Sequence, residues 1–156
     1  MVFICSFLYL AFALLVDFDR KGEEMYKTYY KSPIGRILIM TDGTALLELW
    51  LEGQKYYGAG YDLEQAQQEE TEVSQRVVAW LDAYFKGENP QTDEIPLAPQ
   101  VTEFRSKVLA VLQKIPYGQT ATYSDILREL QAEYGKIGSA RAVGGAIGHN
   151  PISILI

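Results

Sequence analysis

Between Tyr26 and Leu51 the chain carries three short apolar runs separated by turn residues. Tyr26 to Lys31 is aromatic and Thr-bearing, Arg36 to Thr41 is apolar and β-branched, and Ala45 to Leu51 is apolar again. Runs of this length and composition predict strands. Ser32-Pro33-Ile34-Gly35 reads as the first turn, and Asp42-Gly43 as a hairpin turn. Three antiparallel strands need something over their apolar face. Residues 53–68, rich in Gly, Tyr and Gln, read as loop. The cover is expected from the next helix. Thr71 is placed to cap it, and Val73, Val77, Trp80, Leu81 and Tyr84 fall on one helical face. Gly87 closes it. Glu64 to Glu72 reads as a solvated acidic stretch. Residues 88–100 contain Pro90, Pro96 and Pro99 and show neither period, so they read as a linker.

Beyond the linker the period turns helical. Thr102 can cap a helix that turns Phe104, Val108, Val111, Leu112 and Ile115 inward, with Pro116-Tyr117-Gly118 ending it. Thr122-x-x-Asp125 resembles a capping box, and Ile126, Leu127 and Leu130 form the buried side of the next helix. Residues 134–138 are the turn, and Ser139 caps a third helix. Helix, glycine-containing turn, helix is the plan of many DNA-binding proteins. Asn150-Pro151 stops the third helix, and Ile152, Ile154, Leu155 and Ile156 read as an apolar, strand-like run. The fold class is therefore α+β: a small domain of antiparallel strands plus a helix over 25–87, a linker over 88–100, and a helical helix-turn-helix-like domain over 101–156.

Residues 1–24 do not fit this scheme. Val2 to Val16 is apolar apart from Ser6, and is shorter than the ~20 residues a membrane span needs. It lacks a basic start and a cleavage site of small residues. We expect Met25 to be the initiator and 1–24 to be translated upstream sequence, a short membrane anchor being the alternative. Cys5, the one cysteine, excludes an internal disulfide and a cysteine-based metal cluster, and suits a reducing cytoplasm. It has no basic neighbour to lower its pKa. The net charge of −6 argues against nucleic acid for the chain as a whole. Residues 1–100 hold 8 basic and 16 acidic groups, however, and residues 101–156 hold 6 and 4. A modest DNA-facing surface can lie only in the second part.

The third helix is unusual. Gly144 and Gly145 stand among good helix formers, and each costs about 1 kcal/mol against alanine. A helix faced with Ala and Gly is thin on that side and can enter a space that an ordinary helix cannot. Arg141 is its single long cationic arm. Two readings stay open on spacing alone: the glycines pack beneath another helix and Arg141 is a solvated charge, or the bare face meets a ligand closely.

The run ARAVGGAIGHNPISILI, together with Thr102 to Tyr123 and more loosely Met25 to Gly53, resembles the O6-alkylguanine-DNA alkyltransferases. The resemblance implies a ribonuclease H-like first domain and a winged helix-turn-helix second domain. It implies direct, stoichiometric transfer of an alkyl group from O6-alkylguanine or O4-alkylthymine in duplex DNA to a protein cysteine. No cofactor, metal or membrane is implied, and a cytoplasmic monomer is expected. In that family the run continues into Pro-Cys-His-Arg, so the acceptor Cys and its His are expected beyond Ile156 and no catalytic residue is expected in the chain as given. By resemblance Arg141 fills the gap left by a flipped base, and Tyr123 promotes rotation of its phosphate. Thr122, Ser139, Ala140, Ala142, Gly144 and Gly145 are the DNA-binding positions, and Asn150 braces the turn towards the acceptor. His149 is not at the family's catalytic position and reads as a surface residue. A non-enzymatic damage binder is the alternative function, although relatives of that kind lack the first domain. A transcription regulator with a fused sensor domain fits the acidic charge and the bare helix poorly.

Overall fold

The computed structural model describes residues 24–156. The apolar run 2–16, Cys5 and nearly all of the segment expected to be an upstream extension lie outside the described residues.

Three strands, β1 (Tyr26–Ser32), β2 (Gly35–Thr41) and β3 (Leu46–Leu51), form an antiparallel meander in the order β1-β2-β3. Asp42 Oδ1 accepts from Thr44 N and Ala45 N, both at 2.8 Å, which sets the second turn. The register shifts between Met40 and Thr41, so β3 carries one extra residue there. Helix α1 (Glu72–Phe85) starts at Thr71, whose side chain and that of Ser74 close a reciprocal capping box. Its Val73, Val77, Trp80 and Leu81 pack on Ile37, Ile39, Leu46 and Leu49. One face of the sheet is thus covered as the helical spacing predicts.

The opposite face is buried too. Leu38, Met40, Leu47 and Trp50 lie under Tyr56, Tyr57, Tyr61, Leu63 and Ala66. Residues 53–68 contain no helix or strand, as expected, yet they form a second lid rather than an idle connection. Glu48 on this face is buried. Its Oε1 accepts from Gly60 N at 3.1 Å, and the Trp50 indole is its side-chain neighbour. Burial pushes its carboxyl above the usual range.

The outer edge of β3 is filled from later parts of the chain. Leu46 bridges Leu97 and Leu49 bridges Ile152, both in parallel sense. Residues 88–100 are irregular but docked, with Ile95 buried in the core beneath α1.

The second half holds α2 (Glu103–Leu112), α3 (Tyr123–Tyr134) and α4 (Ala140–Gly148). Thr102, Thr122 and Ser139 cap them in turn. Val108, Val111, Ile126, Leu130, Val143 and Ala146 form their common core. Helix α2 stops at Leu112 with Gln113 as its cap, before the Pro116-Tyr117-Gly118 turn expected to end it. In the turn between α3 and α4, Gly138 has φ +63°, and a Cβ there would lie 2.6 Å from the Phe104 ring. Any side chain there would be strained and would have to displace the ring.

Residues 151–156 do not form the expected strand. Ile152 makes a single bridge, and the chain then turns, with Ile154 at φ +73°. The apolar side chains therefore do not alternate: Ile152 and Leu155 are buried against the sheet core, while Ile154 and Ile156 are half-buried. A cleft of about 370 Å³ opens beside them, lined by Trp80, Tyr84, Ile115, Tyr117, Leu155 and Ile156 among others.

Candidate nucleic-acid interface

Helix α4 sorts its residues cleanly. Val143 and Ala146 point into the three-helix core. Arg141, Ala142, Gly145 and Gly148 are exposed. Positions 141, 145 and 148 follow helical spacing, so the solvent face is a stripe of small residues with one arginine at its head. Arg141 makes no hydrogen bond or ion pair among the described residues. At this position the cation is available to an outside partner.

The two central glycines have different surroundings. A Cβ at Gly144 would lie 3.0 Å from Tyr123 Cε2 and 3.1 Å from Cδ2. A Cβ at Gly145 would meet nothing within 4 Å. Gly144 thus lets the Tyr123 ring approach the helix closely, and Gly145 belongs to the open face. Neither of the two readings left open by spacing holds for both residues.

Tyr123 is the first residue of α3 and is 53% exposed. Its backbone is fixed by the cap before it. Asp125 N donates to Thr122 Oγ1 at 3.2 Å, and Thr122 N donates to Asp125 Oδ2 at 2.9 Å. The Thr122 hydroxyl and backbone, with Arg128 nearby, hold the Asp125 carboxyl below its usual range. At the head of α4 the Ser139 hydroxyl accepts from Ala142 N at 3.2 Å, and Ala140 is half-buried. Tyr123 and Gly144 are therefore in contact range, while Arg141, Ala142 and Gly145 share the adjoining exposed stripe.

Asn150 lies at the other end of α4. Its Oδ1 accepts from Ile152 N at 2.8 Å, and its Nδ2 donates to Ile156 O at 2.8 Å. One side chain thereby pins both ends of the closing turn. His149 is not a free surface residue. Its imidazole stacks on Tyr56 with ring centroids 3.9 Å apart, and Nδ1 reaches Gly145 O at 2.7 Å. Gln54 Nε2 donates to Ser153 Oγ at 3.0 Å, and Leu51 N donates to Gln54 Oε1 at 2.7 Å. Sequence reasoning missed Gln54 and Tyr56. Both sit in an irregular segment with no period, far along the chain from their partners, and no local signal marks them.

The chain contains one thiol and one imidazole, Cys5 and His149. Among the described residues no group of three or more His, Cys, Asp or Glu gathers as a metal site would require. The cleft beside Ile156 is lined by no Cys, His, Asp or Glu. Chemically, what the structure offers is a shape and a cation: a bare helix stripe, an arginine and a half-exposed tyrosine.

Two family signatures cover almost all of the described chain. Residues 25–99 match the family described as 6-O-methylguanine DNA methyltransferase, ribonuclease-like domain, and residues 103–156 match its DNA binding domain. The chain belongs to the 6-O-methylguanine DNA methyltransferase family. It is 38% identical over 132 residues to the methylated-DNA–protein-cysteine methyltransferase of Haemophilus influenzae, covering 85% of this chain and 70% of that one. To the enzyme of that name from Methanosarcina acetivorans it is 35% identical over 133 residues, covering 85% and 80%. Its structure is similar to that of the Mycobacterium tuberculosis O6-methylguanine methyltransferase, with a TM-score of 0.70 at 32% identity, covering 84% and 74% of the two chains. A crystal structure of Mycobacterium tuberculosis OGT in complex with DNA aligns with a TM-score of 0.70 at 32% identity, covering 83% and 73%. The expected fold class is that of the family: a strand domain followed by a helical DNA-binding domain. Among the described residues no helix is long and apolar enough to cross a membrane.

Proposed function

We propose that this chain serves the repair of duplex DNA carrying O6-alkylguanine or O4-alkylthymine, and that it engages the minor groove through α4. The observation that carries this reading is the solvent face of α4, which is Arg141 followed by Ala142, Gly145 and Gly148. A major-groove reader needs long polar side chains to reach base edges, and this face has one. A minor groove about 6 Å wide in B-DNA, opened by bending, suits a bare helix and gives nearly sequence-independent binding. An alkyl group on a stacked base is reached by flipping the nucleotide out, which costs a few kcal/mol. In this reading Arg141 occupies the vacated stack, since its guanidinium plane can stack on bases and donate hydrogen bonds. In the same reading Tyr123, held on the Thr122–Asp125 cap beside Gly144, presses on the phosphate of the rotating nucleotide. Thr122, Ser139, Ala140, Ala142, Gly144 and Gly145 complete the contact surface, and Asn150 sets the path of the chain leaving it.

In the transfer itself a thiolate sulfur forms a bond to the alkyl carbon while the carbon–O6 bond breaks, and guanine leaves with the electron pair and takes up a proton. That step needs a cysteine activated by a neighbouring base. Pro-Cys-His-Arg does not occur in the sequence. The 156 residues as given are therefore expected to bind the lesion without accepting its alkyl group, acting as a monomer in the cytoplasm with neither metal nor cofactor.

The test is a titration of fluorescent duplex DNA, with and without O6-methylguanine, alongside incubation with duplex carrying radiolabelled methyl groups. Binding of the duplex, weakened by Arg141→Ala, with no label on the protein is the expected outcome. Absence of duplex binding refutes the interface, and stoichiometric label on Cys5 refutes the account of transfer.

A further inference from the structure

The exit of α4 is fastened to the N-terminal half over a short stretch of chain. His149 stacks on Tyr56 with centroids 3.9 Å apart and planes 26° from parallel. Leu49 N donates to Pro151 O at 2.7 Å, and Ser153 N donates to Leu49 O at 3.0 Å. Gln54 holds the Ser153 hydroxyl. These anchors all come from β3 and the loop that follows it. Tyr56 itself packs with Leu38, Met40, Leu47 and Trp50, so it is set in the second sheet core. A tight turn fixes its backbone neighbours, with Gln54 N bonded to Leu51 O and Tyr57 N to Gln54 O.

Helix α4 needs such support. It is a nine-residue helix with glycine at 144, 145 and 148. Helices shorter than ~12–15 residues are marginal on their own even with good helix formers. Its buried face is just Val143 and Ala146. The final carbonyls are orphaned unless something reaches them. His149 Nδ1 donates to Gly145 O, the carbonyl of the residue at the centre of the exposed stripe. The imidazole that makes this bond is itself held by Tyr56.

We propose that Tyr56 and His149 form an external clamp on the C-terminal half of α4, so that Tyr56, in the N-terminal domain, is a positioning residue for the DNA-binding surface. Tyr56 touches no DNA in this arrangement. It acts by holding the imidazole that satisfies Gly145 O, and thereby keeps the Gly144–Gly148 turns wound before DNA arrives. Without the clamp those turns fray, and binding must first rewind them. This inference rests on the reading of α4 as the DNA-contacting helix.

The experiment uses the full chain. His149 is the single histidine, so its imidazole protons form an isolated pair of NMR signals. In the unaltered protein the Tyr56 ring should shift them upfield, and Tyr56→Phe should keep that shift. Tyr56→Leu, which fills the space without an aromatic face, should abolish it. In the same variant the amides of Gly148, His149 and Asn150 should exchange about tenfold faster while those of α2 and α3 are unchanged. Duplex DNA affinity should fall roughly two- to tenfold, the range an aromatic pair supports. His149→Ala should reproduce the loss from the other side, and the double variant should lose no more than the larger single loss. The clamp is overturned if the unaltered protein shows no upfield shift, if Tyr56→Phe behaves like Tyr56→Leu, or if exchange rises uniformly through the helices. It is also overturned if Tyr56→Leu frees the imidazole and leaves duplex affinity unchanged. If the unaltered chain binds no duplex, the DNA reading falls and takes the clamp's role with it, while the imidazole signals still report whether the stack forms.

Discussion

Replacing Gly145 sets helix stability against groove entry. A Cβ at this position meets no protein atom within 4 Å and the residue faces solvent, so a methyl group adds no overpacking to the balance. Gly145→Ala removes a helix-interior glycine and should stabilise α4 by about 1 kcal/mol. In a chain of this length that raises Tm by about 2–4 °C. Leucine is nearly as good a helix former, so Gly145→Leu should stabilise comparably. On DNA the two substitutions separate. An α-helix has a Cα radius of about 2.3 Å but an overall radius near 5–6 Å with side chains, so a bare face comes roughly 3 Å closer to a surface than a dressed one. Leucine would lift the helix by about that distance, which is the length of a hydrogen bond. Losing one hydrogen bond to a charged phosphate costs about 1.5–3 kcal/mol, or roughly tenfold or more in affinity. Alanine, adding one methyl group, should cost less. The assay is a thermal melt of each variant beside a fluorescence titration of duplex DNA at fixed salt. Higher Tm with graded loss of affinity, alanine before leucine, is the expected pattern. Gly145→Leu with raised Tm and unchanged duplex affinity would refute groove entry, and a lowered Tm would refute the open geometry.

Two further substitutions test the scaffold. Glu48 is buried with a raised carboxyl pKa, so the folded state holds its proton to higher pH than the unfolded chain does. The stability linked to this group is therefore complete below the ordinary value of 4.5 and is lost as pH rises through the raised one. Glu48→Gln keeps an acceptor for Gly60 N and removes the charge. It should raise neutral-pH stability, by about 1–3 kcal/mol if removing the charge recovers a typical desolvation cost, and should flatten that part of the stability–pH curve measured by urea denaturation. Gly138→Ala forces a side chain into positive φ and into the Phe104 ring, and should lower stability by about 1–3 kcal/mol in the same assay; an unchanged midpoint would contradict the turn geometry.

Features governed by neighbours in sequence were legible in the residues. The hairpins follow from Pro33, Gly35 and Asp42-Gly43 between apolar runs, and the helix starts follow from Thr71, Thr102, Thr122 and Ser139, each of which accepts a hydrogen bond from its own first turn. The bare face of α4 was legible for the same reason, because helical spacing alone puts Arg141 and Gly145 together. Contacts set by distant partners were not legible. Residues 53–68 read as loop because they have no period, yet Tyr56, Tyr61 and Leu63 bury a sheet face through irregular backbone. His149 read as a surface residue because it is not at the family's catalytic position, and no local signal pointed to its partner Tyr56 in the other half of the chain. The expected strand over 152–156 failed at Ile154, whose positive φ is rare for a β-branched residue and so carries no sequence cue. That Gly144 and Gly145 have different surroundings also depends on a third party, the Tyr123 ring.

The filled edge of β3 has a consequence for how the protein is made. Leu46 receives Leu97 and Leu49 receives Ile152, so the sheet's last row of backbone donors and acceptors is satisfied by residues that leave the ribosome after it. At ordinary synthesis rates the interval between adding Leu49 and adding Ile152 is about 5–20 s. For that time a strand of buried leucines and a tryptophan presents an unpaired flank, the arrangement most prone to pairing with another nascent chain. Closing it early is impossible, because the closing residues do not yet exist. Yield in a cell should therefore depend on how fast translation runs through the second half, and synonymous codons that slow residues 100–150 should favour aggregation without altering the finished protein.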